Sequence, residues 1–176
     1  MYKIGEYVIC GNKGVCEVEN ITTLDISGVD KGRKYYILKP RYMAGSTVYV
    51  PVDSSGDSMR PVLNRDEAEK LIDSIPQIPM LTIINEKLTE QAYRDSMKTN
   101  KCEEWVRVIK TIYLRKQKRL QSGRKVTAVD AKYSHLAEEN LYGELAVALG
   151  IGRNEVEGYI ARSLDERPVR ETAEIR

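Results

Sequence analysis

Up to about residue 60, the apolar residues come in short runs rather than at helical intervals. "EYVIC", "GVCEVENI", "KYYILKP" and "STVYVP" are each rich in Val, Ile or Tyr, and "GNKG", "SGVDKGR", "RYMAGS" and "DSSGDS" separate or follow them. β-branched and aromatic runs between clusters of Gly, Asn, Asp and Ser are the pattern of strands joined by tight turns. Four or five such strands predict a small curled sheet or barrel of SH3-like size.

"NRDEAEKLIDS" then predicts a helix. Asn64 is a suitable N-cap, and Glu67 three residues on can close a capping box. Ile75-Pro76 and Ile78-Pro79 end that helix, so "PQIPM" reads as a linker. Beyond it the period is helical. "LTIINEKLTEQAYRDSMK" predicts one helix starting near Asn85. In "CEEWVRVIKTIYLRKQKR", Trp105, Val108, Ile109 and Ile112 fall at i, i+3, i+4 and i+7, with Arg107, Lys110 and Lys118 opposite. "LQSGRK" breaks the pattern. "VTAVDAKYSHLAEENLYGELAVALG" restores it, with a stripe of Val129, Tyr133, Ala137, Leu141, Leu145 and Ala148 and a stop at Gly150. "GRNEVEGYIARSLDER" predicts a short last helix. The expected fold is α+β: a small antiparallel β domain over residues 1–78, an all-α domain over 79–170, and a frayed tail at 171–176.

Charge changes this picture in one place. The 176-residue chain has a formal charge of only +2, yet residues 98–125 hold 10 basic and 2 acidic side chains, a local +8. Within "YLRKQKRLQSGRKV" six residues are Lys or Arg and none is acidic. On a helical wheel Lys116 and Arg119 project to the same side as Ile109 and Ile112. A lysine does not replace an isoleucine in a core, so the end of this helix should extend beyond the bundle as a basic knob. Cations near a helix C-terminus also complement its dipole, but that accounts for two or three of them. Phosphate is the expected partner, through backbone contacts that carry no base readout.

Other chemistry is thin. Three scattered cysteines (Cys10, Cys16, Cys102) and one histidine argue against a zinc site; buried thiols in a reducing cytoplasm are expected. No apolar run spans a bilayer and no signal peptide is evident. No GxSxG, Walker-type loop or HExxH occurs, so neither catalysis nor a cofactor or small-molecule substrate is expected. His135 reads as a surface or partly buried residue. Trp105 reads as core.

Taken in order, these segments resemble the CarD/CdnL family of bacterial transcription regulators. "YKIGEYVICGNKGVCEVENI" is similar to that family's opening hairpin, and "YYILKP" and "TVYVPVD" to its next strands. "YRDSM", "VIKTIYLRKQKR", "SGRK" and "AEENLYGELA" resemble its helical domain. The resemblance implies a Tudor-like N-terminal domain, shared with the transcription-repair coupling factor, that binds the RNA polymerase β subunit along a sheet edge. Here that edge would include Thr47, Tyr49 and Pro51. It implies a helical domain that contacts promoter DNA at the upstream edge of the bubble. The residues this assigns to DNA are Tyr93, Arg94, Arg115, Lys116, Lys118, Arg119, Arg124 and Lys125.

Two positions depart from the family pattern. Where better-known members carry a tryptophan that wedges into the minor groove, this chain has Thr89; Tyr93 is a candidate substitute. Tyr49 stands where some members have a polymerase-contacting arginine. The alternative reading is a protein-interaction module whose basic patch meets an acidic protein surface rather than DNA. An SH3-like RNA-binding protein is a third reading, weakened by a β domain of net charge −1.

Overall fold

In the computed structural model, residues 1–166 are described. Five strands form one antiparallel sheet: β1 Tyr7–Cys10, β2 Val15–Thr23, β3 Lys34–Pro40, β4 Val48–Pro51 and β5 Met59–Pro61. Their spatial order is β4-β3-β2-β1-β5. Five α-helices follow: α1 Arg65–Ser74, α2 Thr89–Lys98, α3 Cys102–Gln121, α4 Ala128–Leu149 and α5 Val156–Asp165. The fold is therefore α+β with strands before helices, as the change of period predicts. The expected tail at 171–176 lies outside the described residues.

The fifth strand has no signature of its own. Three residues, the last a proline, shortly after a helical turn (Val52–Asp57) are too few to show alternation. It exists because β1 offers a second edge, where Val8, Ile9 and Cys10 pair with Pro61, Arg60 and Met59.

The β1–β2 hairpin is buried on both faces. Val8, Cys10, Cys16 and Val18 join Tyr36, Leu38, Val50 and Met59 in a core inside the curl of the sheet. Ile9 and Val15 point the other way, into a core shared with helices α1 to α5. This explains why "YVIC" reads as a continuous apolar run rather than an alternating one. It also means that the sheet, besides enclosing its own core, lends Ile9 and Val15 to the core of the helices.

Helix α1 begins as its sequence predicts. The Asn64 side chain accepts from the Glu67 amide and the Glu67 carboxylate accepts from the Asn64 amide, both at 2.8 Å. Its buried Ala68, Leu71 and Ile72 pack into the shared core. Arg65 donates to the carbonyl of Leu149 at the end of α4 at 2.7 Å, and Tyr159 of α5 donates to Glu69.

The linker is clasped rather than loose. Lys110 donates to the carbonyls of Ile75 (2.8 Å) and Ile78 (2.6 Å), and Arg107 to that of Pro79 (3.2 Å). Two of the cations expected on a solvated face of α3 thus hold the chain that crosses it. The next segment departs from the expected single helix. The Leu81 amide donates to Thr111 at 2.9 Å, drawing residues 81–83 along α3 in non-helical form. Asn85 then accepts from the Lys87 amide and opens a short 3-10 turn, Glu86–Leu88, that leads into α2.

Candidate nucleic-acid and polymerase interfaces

Trp105, Val108 and Ile112 are buried on α3 and Ile109 is half-buried, in line with the predicted stripe. From Tyr113 onward no residue of this helix is buried. The helix outruns the bundle, as the placement of Lys116 and Arg119 requires. Its end is a Schellman stop: the Gly123 amide donates to Leu120 (3.0 Å) and the Arg124 amide to Arg119 (2.8 Å), with Gly123 at φ 71°. Glycine takes this left-handed conformation at little cost, and the turn projects Arg124 and Lys125 from the helix end. Arg119 pins the returning chain by donating to the Lys125 carbonyl at 2.8 Å.

A shallow groove of about 240 Å³ lies there, lined by Glu86, Arg115, Lys118, Arg119, Ser122 and Arg124. Its floor is an ionic chain. Arg115 makes a bidentate pair with Glu86 (2.8 and 3.0 Å) and donates to the fully buried Asp130 at 3.1 Å. Asp130 also accepts from the Tyr93 hydroxyl at 2.8 Å, while Thr127 caps α4 by accepting from the Asp130 amide at 3.1 Å. The hydrogen bonds from Arg115 hold the Glu86 carboxyl below its ordinary range. Glu86 also raises the pKa of the guanidinium, keeping it charged.

The structure sorts the predicted DNA-contacting residues into four groups. Arg115, Lys118, Arg119 and Arg124 line one groove, and Lys116 and Lys125 are exposed at the same helix end. Lys116, Lys118, Arg124 and Lys125 form no ion pair among the described residues. Arg94 lies elsewhere: it pairs with Glu90 at 3.4 Å and lines a separate cleft with Lys98, Asn140 and the 3-10 turn at Gly11. Tyr93 is corrected. It is 0% exposed, packed against Tyr133 and bonded to Asp130, so it is a core residue and no wedge. Burial and the Asp130 carboxylate push its pKa up.

Thr89 is buried as well, at 5% exposure. Its hydroxyl has no partner in good hydrogen-bond geometry among the described residues, though it lies near enough to help hold Glu86 down. Neither position can push an aromatic ring into DNA. The signal was present in the sequence: Thr89, Tyr93 and Ser96 fall at i, i+4 and i+7 and form the buried stripe of α2. Two polar members disguise it.

The expected polymerase-binding residues lie at the opposite end of the sheet order. β4 is an edge strand, paired through Ile37–Tyr49 and Leu38–Val48 with β3 only. Val50 turns into the sheet core. Thr47 and Tyr49 face out, Tyr49 at 48% exposure, and Pro51 is half-buried. Tyr49 sits beside the half-buried Ile37 and Tyr35, giving an apolar outer face next to an open backbone edge. Such an edge is a template for another strand.

Sequence reasoning missed what joins the sheet to the helices. Arg60 on β5 and the fully buried Glu144 on α4 form two hydrogen bonds of 2.7 Å each. Glu144 also accepts from the Leu63 amide (3.0 Å) and the Cys102 thiol (2.9 Å). Arg60 donates to the Asn100 carbonyl at 2.6 Å, and its guanidinium lies 5.5 Å from the Trp105 ring centre. Burial opposes the charge of Arg60, but the bonds to Glu144 outweigh it and raise its pKa.

A second junction is made by Tyr42, which follows β3. Its hydroxyl donates to the Gly143 carbonyl at 3.1 Å, and Arg153 lies 4.4 Å from its ring centre. A Cβ at Gly143 would stand 2.8 Å from that ring, so glycine is what allows the close approach.

Cys10, Cys16 and Cys102 are free, buried thiols. His135 is on the surface, 3.1 Å from Glu139. Among the described residues no group of three or more His, Cys, Asp or Glu could hold a metal, and no helix is long and apolar enough to cross a membrane.

Residues 2–63 match the family model of the CarD-like/TRCF RID domain, an interval that takes in all five strands. No curated protein matches the chain.

Proposed function

We propose, from the match of residues 2–63 to the CarD-like/TRCF RID domain, that this protein is a transcription regulator that docks the polymerase β subunit along β4 and lays the basic end of α3 on promoter DNA. Thr47, Tyr49 and Pro51 supply the docking edge. Lys116, Lys118, Arg124 and Lys125 supply the phosphate contacts, with Arg119 shaping the loop and Arg115 forming the floor. Backbone contacts of this kind are independent of sequence and sensitive to salt. Held by polymerase at one end and by DNA at the other, the protein modulates the stability of the open complex. It acts without an aromatic wedge, since Thr89 and Tyr93 are both buried.

The observation that carries the DNA half is the set of four cations without ion pairs at one helix end, of which Lys118 and Arg124 line the groove. Substituting Lys116, Lys118, Arg124 and Lys125 together by Ala in the full chain should remove most duplex affinity and flatten its salt dependence, while capture of the polymerase β subunit persists. Unchanged DNA affinity would leave the alternative, a protein-interaction module whose basic end meets an acidic protein surface. Because Ile9 and Val15 share a core with the helices, these tests belong on the full chain rather than on isolated halves.

A further inference from the structure

The basic end of α3 is not only basic. Tyr113 is 64% exposed, Leu120 51% and Leu114 38%, although the bundle ends just before them. At 100° per residue Tyr113, Lys116 and Leu120 share one face of the helix, spaced three and four apart. The Tyr113 hydroxyl has no hydrogen-bond partner and its ring no aromatic or cation–π partner among the described residues. Phosphate contact alone has no use for an exposed ring. A ring and a leucine set among four cations without ion pairs match a ligand with a polyanionic backbone and flat apolar faces.

We infer that Tyr113, with Leu120 on the same face, is a stacking platform for unpaired bases of a nucleic-acid strand whose phosphates are held by Lys116, Lys118, Arg124 and Lys125. This rests on the DNA-contact reading and deepens it, because it names single-stranded rather than duplex substrate. Base stacking on an aromatic ring tolerates any sequence, since every base has a π-face. The platform has a suitable length. Seven helical residues advance roughly 10 Å, about three nucleotides at ~3.4 Å each. A duplex keeps its base faces stacked inside and could offer only backbone to this surface. A melted strand offers both.

The test uses the full chain with Tyr113→Ala, Tyr113→Phe and the four-cation Ala variant. Binding is read by fluorescence anisotropy on a labelled oligothymidine, an oligouridine of the same length, and a blunt duplex, and thermal melting checks the fold. The inference expects Tyr113→Ala to weaken single-strand binding at least about fivefold, the effect of losing one stacked base. Duplex affinity and melting should not change, and Tyr113→Phe should restore single-strand binding. A preference between the two oligonucleotides assigns the platform to DNA or to RNA. Equal weakening on single strand and duplex, or none on either, would overturn the platform; the DNA-contact reading would still stand if the four-cation variant binds duplex poorly. If the unsubstituted protein binds no nucleic acid and instead binds polyglutamate, both the platform and the DNA contact are wrong.

Discussion

Arg60 of β5 and Glu144 of α4, 84 residues apart in sequence, face each other through two parallel hydrogen bonds of 2.7 Å. Glu144 is fully buried, and Leu63 and Cys102 donate to it too, so its carboxylate is satisfied by the protein itself. The pair fastens the last strand of the sheet to the C-terminal third of the longest helix. It thereby fixes how the sheet, with β4 at its far edge, sits against the helices that carry the basic end of α3.

Breaking one side of this pair should be costly. Glu144→Ala leaves the Arg60 charge without its main partner in a mostly buried site, and removal of one member of a buried pair typically costs about 3–5 kcal/mol. Chemical denaturation of the variant should show a destabilisation of that size. Replacing both residues by apolar ones, as in Arg60→Met with Glu144→Leu, should cost distinctly less. A destabilisation under about 1 kcal/mol for Glu144→Ala would show that the pair is not what joins sheet to helices.

The thiols predict behaviour at alkaline pH. Burial raises the pKa of all three, and burial together with neighbouring Cys10 pushes Cys16 up to about 12 from an ordinary 9.0. For Cys102 the Glu144 carboxylate adds to the effect of burial. A group whose folded pKa is raised contributes stability that is complete below its unfolded value and is lost as pH rises toward the folded one. Stability should therefore decline from about pH 9 upward, with buried Tyr93 adding to the decline above about pH 10. Alkylation by iodoacetamide at neutral pH should be slow in the native protein and reach all three cysteines after unfolding. Rapid native labelling of any one would contradict the burial of the thiols.

How much of this was legible in the sequence depends on the range of the interaction. The strands Lys34–Pro40 and Tyr7–Cys10, the Asn64–Glu67 box and the Gly150 stop are local and could be read directly. The extension of α3 beyond the bundle was also readable, because a cation continuing an apolar stripe forces it. Arg60–Glu144, the Lys110 clasp and the Tyr42–Gly143 contact link residues 32 to 101 positions apart and leave no periodic trace. In the candidate site the weakness was different. Charge density located the groove, but it could not separate the cations without an ion pair from Arg115, which Glu86 and Asp130 already neutralise.

That neutralisation can be relieved. Glu86 is 74% exposed and Asp130 is buried, so Glu86→Gln removes the outer partner of Arg115 while leaving the inner one that positions it. An exposed pair of this type contributes only about 0.2–1 kcal/mol, so folding should be almost unaffected. Duplex affinity should rise and its dependence on salt should steepen by about one phosphate contact. An unchanged salt slope would mean that Arg115 is a structural residue and not part of the DNA surface.

The docking edge gives the last prediction. Tyr49 lies on an unpaired edge beside Ile37 and is half-exposed, so an aspartate there replaces apolar contact area with a charge and disturbs no core packing. Tyr49→Asp should leave thermal melting within a few degrees of the unsubstituted protein, since surface changes rarely exceed about 0.5 kcal/mol. Capture of the polymerase β subunit should fall at least about tenfold if Tyr49 is an aromatic anchor of the interface. Tyr49→Phe should retain most of it, because the ring rather than the hydroxyl supplies the buried area. DNA binding by the basic helix end should be untouched, which distinguishes a docking defect from a folding defect. If Tyr49→Asp captures polymerase as well as the unsubstituted chain does, docking does not use the β4 edge.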